Sequence, residues 1–341
     1  AQPGSGGPSG RERGDPGCVA AAEVRLTERP PAIFQYAAFF ATETDALAFA
    51  DAMRDRRGAG PGPEGAGPAT RDGTPEAARG PSPAPDGSRA PNVQAAPNVQ
   101  AGPNVQAGRT GPPVGIVSIE YMDGASLDFI RTRYPETPRA QGCVLVEEEY
   151  APVSPTNPYP PDGLLARIQE LLRAHGAIAD WVAAGEELRG MKSFRHALPE
   201  QVNRWVGDRV GKLGTDMAVP SQSFAAMWKA YASARSAGIR TVLFGHLGQY
   251  HLHLNFLPEN ENEIARARRH YLHLARTAVD LGGTISAEHG VGKKHLTDEN
   301  GADHPYLYYL YGDEGLRAMR RVKDAFDPER LLNRDTMIPS E

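Results

Sequence analysis

Along most of this chain the apolar positions switch between a period of two, which marks a half-buried strand, and the helical spacing of three or four. Residues 19–26 alternate apolar and polar and predict a strand, and residues 43–57 carry Ala46, Leu47, Phe49, Ala50 and Met53 on one helical stripe. A strand at 114–121, a helix at 126–134 and a strand at 143–149 follow. Asp162 stands where a helix N-cap belongs, ahead of Leu164, Leu165, Ile168, Leu171 and Leu172, and Gly176 closes that helix. Periodicity is then weak until a strand at 215–219, a helix at 221–236 and a strand at 241–244. A strand at 251–256, a long helix at 260–281 stopped by Gly282 and Gly283, and a helix at 313–326 before Asp327 and Pro328 complete the pattern. Tight hairpins replace several crossovers, so the pattern predicts an α+β fold, an antiparallel sheet with helices packed on one face.

Two stretches break this pattern. Residues 1–17 are mostly Gly, Pro, Ser and Arg, a linker or a ragged start, because such a composition buries too little apolar surface to offset chain entropy. Residues 58–113 are dominated by Gly, Pro and Ala, and within them Pro-Asn-Val-Gln-Ala recurs at a short period that ends at Ala107. The period is too short for a solenoid unit and the proline content too high for a β-helix, so the segment reads as a disordered, low-complexity surface insertion. The remainder, 18–341, reads as one domain around that insertion.

Composition narrows the function classes. The 37 Lys and Arg against 42 Asp and Glu form no basic run, which argues against a nucleic-acid partner. Cys18 and Cys143 are the only cysteines, so neither a thiolate zinc site nor a disulfide framework is indicated, and a cytoplasmic location fits. No apolar run reaches the ~20 residues that span a bilayer, which leaves at most a peripheral association with the inner face of a membrane. No Gly-x-Gly-x-x-Gly follows a strand, and Gly290-Val291-Gly292-Lys293 lacks the Walker spacing, so neither turn holds a nucleotide.

The chemistry-bearing residues gather in two segments, 244–255 and 286–290. On a strand His251, His253 and Asn255 share one face while Leu252, Leu254 and Phe256 fill the other. His246 precedes the turn, where a hairpin returns His253 close to it. Neutral imidazoles suit zinc, manganese or iron, and Glu288, from a separate segment, is the candidate oxygen ligand of a site with an open position. Its neighbour His289 is expected to point elsewhere, so that one residue binds the metal while the other acts on a substrate. The same spacing also fits a pair of hydrogen-bonded strand histidines. His270, His273, His295 and His304 sit in helical or polar surface contexts without converging partners.

The runs Gly245-His246-Leu247-Gly248 to Leu252-His253-Leu254-Asn255, Gly282-Gly283-Thr284-Ile285-Ser286-Ala287-Glu288-His289-Gly290, and Phe326-Asp327-Pro328 to Asn333 resemble the C-terminal cap domain of FAD-linked oxidases. These are the D-lactate dehydrogenase, glycolate oxidase and D-2-hydroxyglutarate dehydrogenase relatives of the vanillyl-alcohol oxidase superfamily. The segments 194–200 and 212–220 are similar to the same family. The resemblance implies a ferredoxin-like cap domain, a metal bound by His246, His253 and Glu288, and His289 as the base that takes the substrate hydroxyl proton. It further implies that Arg195 and Lys212 grip the carboxylate of a small 2-hydroxy acid and that Asn333 lies near the flavin.

The chain departs from that family at Gln249, where an Asp is usual, at Tyr250, and at Arg334-Asp335-Thr336, where Pro-Gly-Lys is usual. Losing the Asp is expected to weaken metal binding by ~10 to 100-fold through a missing anchor for an imidazole. The FAD of such enzymes is held mainly by an N-terminal domain that these residues are not expected to contain, so an FAD-binding domain or subunit is the expected partner. The resemblance therefore implies the substrate and metal portion of an FAD-dependent D-2-hydroxyacid dehydrogenase. A non-catalytic cap-fold partner subunit of a flavoprotein complex is the alternative, and a metal hydrolase with the same ligands is a third reading.

Overall fold

The computed structural model describes residues 32–58, 115–150, 159–207 and 209–338. The expected strand at 19–26, the linker at 1–17 and residues 59–113 of the expected insertion lie outside these. The chain runs β1 (Ala32–Phe40), α1 (Glu43–Gly58), β2 (Gly115–Asp123), α2 (Gly124–Ile130), β3 (Gly142–Tyr150), α3 (Asp162–Ala174), β4 (Ala177–Ala184) and α4 (Leu188–Val206). It continues through β5 (Leu213–Gly214), β6 (Met217–Ala218), α5 (Phe224–Arg235), β7 (Thr241–His246), β8 (His251–Phe256) and α6 (Glu261–Asp280). A small hairpin of β9 (His295–Thr297) and β10 (Asp303–Pro305) leads into α7 (Tyr308–Phe326).

The strands of the main sheet lie in the order β4-β1-β3-β2-β7-β8-β5, with β6 also on β8, and every strand pair is antiparallel. The order of the first four is the ferredoxin-like one. Two residue pairs, Tyr121↔Gly245 and Met122↔Phe244, join this unit to the β7–β8 hairpin.

Strand β1 shows why the sheet has two buried faces. Phe34, Tyr36, Ala38 and Phe40 enter one core together with Phe49 and Met53 of α1, Ile168 of α3, Tyr231 of α5 and Leu274 of α6. Ala37 and Phe39 enter a second core with Leu127 of α2 and Met191, Phe194 and Leu198 of α4. Most helices thus share one face as the pattern predicts, and α2 and α4 cover part of the other. A strand apolar on both sides has no period-two signal, which is why β1 is not apparent in the alternation.

Local chemistry sets the element ends. Asn260 accepts a hydrogen bond from Glu263 N at 3.0 Å and starts α6, whose Ile264, Ala267, Tyr271, Leu274 and Ala278 form the buried stripe. Asp123 caps α2 through Ser126 N at 2.8 Å. The N-cap of α3 is Pro161 rather than the expected Asp162, which sits in the first turn where its charge suits the helix dipole. Helix α7 starts earlier than position 313 because Gly312, at φ 63°, kinks it without ending it.

The strand expected at 215–219 is divided into β5 and β6 by Thr215 and Asp216. Thr215 keeps its hold on β8 by donating N–H to Leu254 O at 3.0 Å and accepting Leu254 N on its hydroxyl at 2.9 Å. Asp216 is thereby turned out of the ladder. None of the described helices is long and apolar enough to cross a membrane.

Phe49 is fully buried with its ring 5.3 Å from that of Phe40. Phe49→Ala is expected to destabilise the chain by about 3 to 5 kcal/mol in denaturant unfolding, the cost of an unfilled aromatic cavity.

Candidate metal centre

The second face of the sheet becomes polar over β2, β7 and β8, where it carries Glu120, His246, His251, His253 and Asn255. In the hairpin His246 pairs with His251 and Phe244 with His253. Gly245, at φ 135°, makes this possible, because a Cβ there would lie 2.8 Å from His253 Cδ2 and 3.0 Å from His251 O. The His253 ring therefore crosses the neighbouring strand, with its centroid 5.6 Å from that of His246. The turn between the strands is pinned from α1, where Arg54 donates to Leu247 O at 2.9 Å and stacks over Tyr250 at 4.5 Å.

Glu288 arrives on the loop after α6. Gly283 allows the loop to pass close to β6, since a Cβ there would meet Ala218 O at 2.3 Å. Thr284 N then donates to Ala218 O at 2.8 Å and Ala287 N to Asp216 O at 2.9 Å. The buried Asp216 carboxylate accepts His289 N at 2.8 Å, Glu288 N at 3.2 Å and Ser286 Oγ at 3.1 Å, and faces His251 Nε2 at 2.8 Å. Burial pushes the Asp216 carboxyl upward, but the bonds from His251 and the His289 backbone outweigh it and hold the group below its ordinary value.

One oxygen of Glu288 is the meeting point. Its Oε1 lies 3.3 Å from His246 Nε2, 3.1 Å from His253 Nε2 and 3.2 Å from His289 Nε2. The far nitrogens of two of these rings are engaged: His246 Nδ1 lies 3.0 Å from Glu120 Oε1, and His253 Nδ1 lies 3.1 Å from Thr215 O. A carbonyl and a carboxylate accept, so each Nδ1 carries a proton and each Nε2 turns its lone pair toward Glu288 in the neutral ring. Lone pairs and an anionic oxygen so close require a positive charge between them. A proton on His246 supplies one, and contacts with Glu120 and then Glu288 push its pKa from 6.5 up to about 10. The bonds from His246 and then His253 hold the Glu288 carboxyl far below the usual carboxylate range.

A divalent metal satisfies the same requirement. Imidazole nitrogens with a carboxylate oxygen form a donor set that suits zinc, manganese or iron. The available ligand atoms of His246, His251, His253 and Glu288 lie within 4.8 Å of one another, as do those of Asp216, His253, Glu288 and His289. His246 and His253, each with its Nδ1 engaged, turn Nε2 to the buried side of Glu288 Oε1, while His251 faces Asp216 through Nε2 and His289 approaches the same oxygen from the exposed side.

The fold thus brings His246, His253 and Glu288 together. His289, expected to point elsewhere, turns to the same carboxylate. Both backbone N–H groups of 288 and 289 are tied to Asp216 and Gly290 follows at φ 70°, so the chain curls and the two side chains converge. Arg195 reaches the cluster from α4, with Nη2 2.7 Å from Glu120 Oε1. Lys212 is not brought in, since its ammonium donates to Asn203 Oδ1 at 2.7 Å and burial lowers its pKa. Asn333, at φ 42°, lies in the segment after α7 that returns to Gly292 through Met337 N at 2.8 Å.

Sequence reading missed Glu120 and Asp216 and left His251 without a role. The available signal was a carboxylate set inside an apolar strand run, Ile119-Glu120-Tyr121 and Asp216-Met217. Gln249 stands where an anchoring carboxylate was expected, and Glu120 and Asp216 anchor imidazoles instead.

A model of the family described as FAD linked oxidases, C-terminal domain, matches residues 98–337. Glycolate oxidase subunit GlcD of Bacillus subtilis (strain 168) is 34% identical over 129 residues, which are 37% of this chain and 26% of that protein. The mitochondrial D-lactate dehydrogenase [cytochrome] of Kluyveromyces lactis is 34% identical over 125 residues, 36% of this chain and 20% of that protein. D-2-hydroxyglutarate dehydrogenase of Stutzerimonas stutzeri (strain A1501) is 26% identical over 163 residues, 45% of this chain and 33% of that protein. The chain matches a third or less of the length of each of these relatives. Among solved structures, 4-ethylphenol oxidase from Gulosibacter chungangensis in its isoeugenol complex aligns with 93% of this chain and 56% of that one, at TM-score 0.49 and 15% identity, a likeness too slight to argue from.

The electrostatics predict a pH profile for the metal-free chain. The folded pKa of Glu288 lies below its ordinary 4.5, so its contribution to stability is present above 4.5 and is lost as pH falls. The folded pKa of His246 is raised from 6.5 to about 10, so its contribution is full below 6.5 and is lost as pH rises toward 10. Denaturant unfolding in a chelator is expected to show greatest stability between these limits, with the alkaline decline flattened in His246→Gln. Parallel declines of the two proteins would contradict the assignment.

Proposed function

The chain belongs to the FAD linked oxidases, as their C-terminal domain, and on that premise we propose that it is the substrate- and metal-binding portion of an FAD-dependent D-2-hydroxyacid dehydrogenase. The observation that carries this reading is the convergence of His246 Nε2 and His253 Nε2 on Glu288 Oε1, with each Nδ1 anchored behind. The named relatives support the substrate class, because glycolate, D-lactate and D-2-hydroxyglutarate share a hydroxyl next to a carboxylate.

His246, His253 and Glu288 would hold the metal. A divalent ion held there would supply Lewis acidity toward the 2-hydroxyl and carboxylate of the acid, and the flavin would supply a hydride acceptor. The protein groups perform the remaining tasks. His289 is exposed beside the ligands and takes the hydroxyl proton at a ring nitrogen. Arg195 binds the carboxylate through its planar fork, and Lys212 joins it only on leaving Asn203. Asn333 contributes a flavin contact. The FAD itself would be held mainly by a flavin-binding domain or subunit.

Metal analysis of the wild type is expected to find about one zinc, manganese or iron per chain, and His253→Ala to lower metal affinity by more than about 100-fold. Equal metal content in the two proteins would refute the site. With its flavin-binding portion supplied, the chain is expected to oxidise D-lactate or glycolate with an artificial electron acceptor. His289→Ala is expected to keep its metal while turnover falls by ~10² to 10⁴-fold. Normal metal binding with no oxidation of any 2-hydroxy acid would instead favour a non-catalytic cap subunit.

A further inference from the structure

Glu120 sits in the middle of β2 opposite Leu145, 5% exposed, between Ile119 and Tyr121 of the main core. A carboxylate in that position needs partners, because an unpaired charge is costly to bury. It has two, and both belong to the proposed site. A single oxygen, Oε1, meets Arg195 Nη2 at 2.7 Å and His246 Nδ1 at 3.0 Å. The two come from different elements, the guanidinium from α4 and the imidazole from β7.

We infer that Glu120 is a positioning residue that ties the grip on the substrate carboxylate to the metal ligand His246 through this shared oxygen. The inference rests on the reading of the site as a metal and 2-hydroxyacid centre. As acceptor for Nδ1–H, Glu120 fixes the His246 tautomer that leaves Nε2 for the metal and raises the basicity of that nitrogen. As partner of Arg195, it holds the long side chain at the edge of the site when no acid is bound. A substrate carboxylate competes for the same guanidinium. Once Arg195 turns to the substrate, the full charge of Glu120 is left to His246, and the imidazole becomes a stronger ligand. Metal and acid therefore strengthen each other's binding, a coupling that is reciprocal between the two sites.

The test uses the full chain with Co²⁺ as the metal probe, read by its visible absorption, and D-lactate as the acid probe. Glu120→Gln keeps the size of the side chain and removes its charge. It is expected to bind Co²⁺ ~10 to 100-fold more weakly, to shift the Co²⁺ absorption, and to show a smaller increase in Co²⁺ affinity with D-lactate than the wild type, the remainder coming from the acid's own contact with the metal. A folded variant with wild-type Co²⁺ affinity and an unchanged increase from D-lactate would overturn the inference. A wild type that binds no Co²⁺ would instead overturn the proposed metal site. Should Glu120→Gln fail to fold, imidazole nitrogen NMR of the wild-type chain loaded with Zn²⁺ decides. A proton on His246 Nδ1 with Nε2 on the metal supports the inference, and the reverse tautomer overturns it.

Discussion

A buried carboxylate holds the two halves of the site against each other. Asp216 leaves the strand ladder between β5 and β6 and accepts the backbone N–H groups of Glu288 and His289 and the Ser286 hydroxyl, while on the other side it meets the buried His251 ring of β8. The histidines of the hairpin and the acid of the post-α6 loop lie far apart in the chain, and this one group brings them into register. The tight passage of Gly283 beside Ala218 and the divided strand around Thr215 follow from the same need, because a side chain or an unbroken ladder there would push the loop away.

The sheet explains why the site lies where it does. Its larger face is sealed by α1, α3, α5 and α6, while α2 and α4 cover only part of the other. Where that cover ends, the inward positions change from Phe39, Leu145 and Met122 to Glu120, His246, His251, His253 and Asn255. The hairpin strands keep one face in the core through Leu252, Leu254 and Phe256, so the histidines are presented by rigid backbone. The chain belongs to the FAD linked oxidases, C-terminal domain, and the polar face of the sheet is where its histidines and carboxylates gather.

Much of this was legible before the fold was known. The alternation in His251–Phe256 identified the face that carries imidazoles, and Gly282-Gly283 ended the long helix as expected. The histidines at 246 and 253 and the carboxylate at 288 also meet as anticipated. What escaped notice has physical causes. Strand β1 is buried on both sides and so lacks a period. Helix α4 carries Pro199 inside it, which interrupts the usual signal. Glu120 and Asp216 act through long-range contacts, at sequence separations no local pattern registers. His289 was expected to diverge from Glu288 because the hold of Asp216 on both amides is likewise invisible in the sequence.

His246, His253 and Glu288 are proposed as the ligands of one metal site. Anomalous diffraction from crystals of the chain grown with Mn²⁺ tests it most directly. One strong peak is expected, bonded to His246 Nε2, His253 Nε2 and a Glu288 oxygen at about 2.0 to 2.3 Å. A peak centred on other residues, or no peak between these three side chains at saturating Mn²⁺, would contradict it.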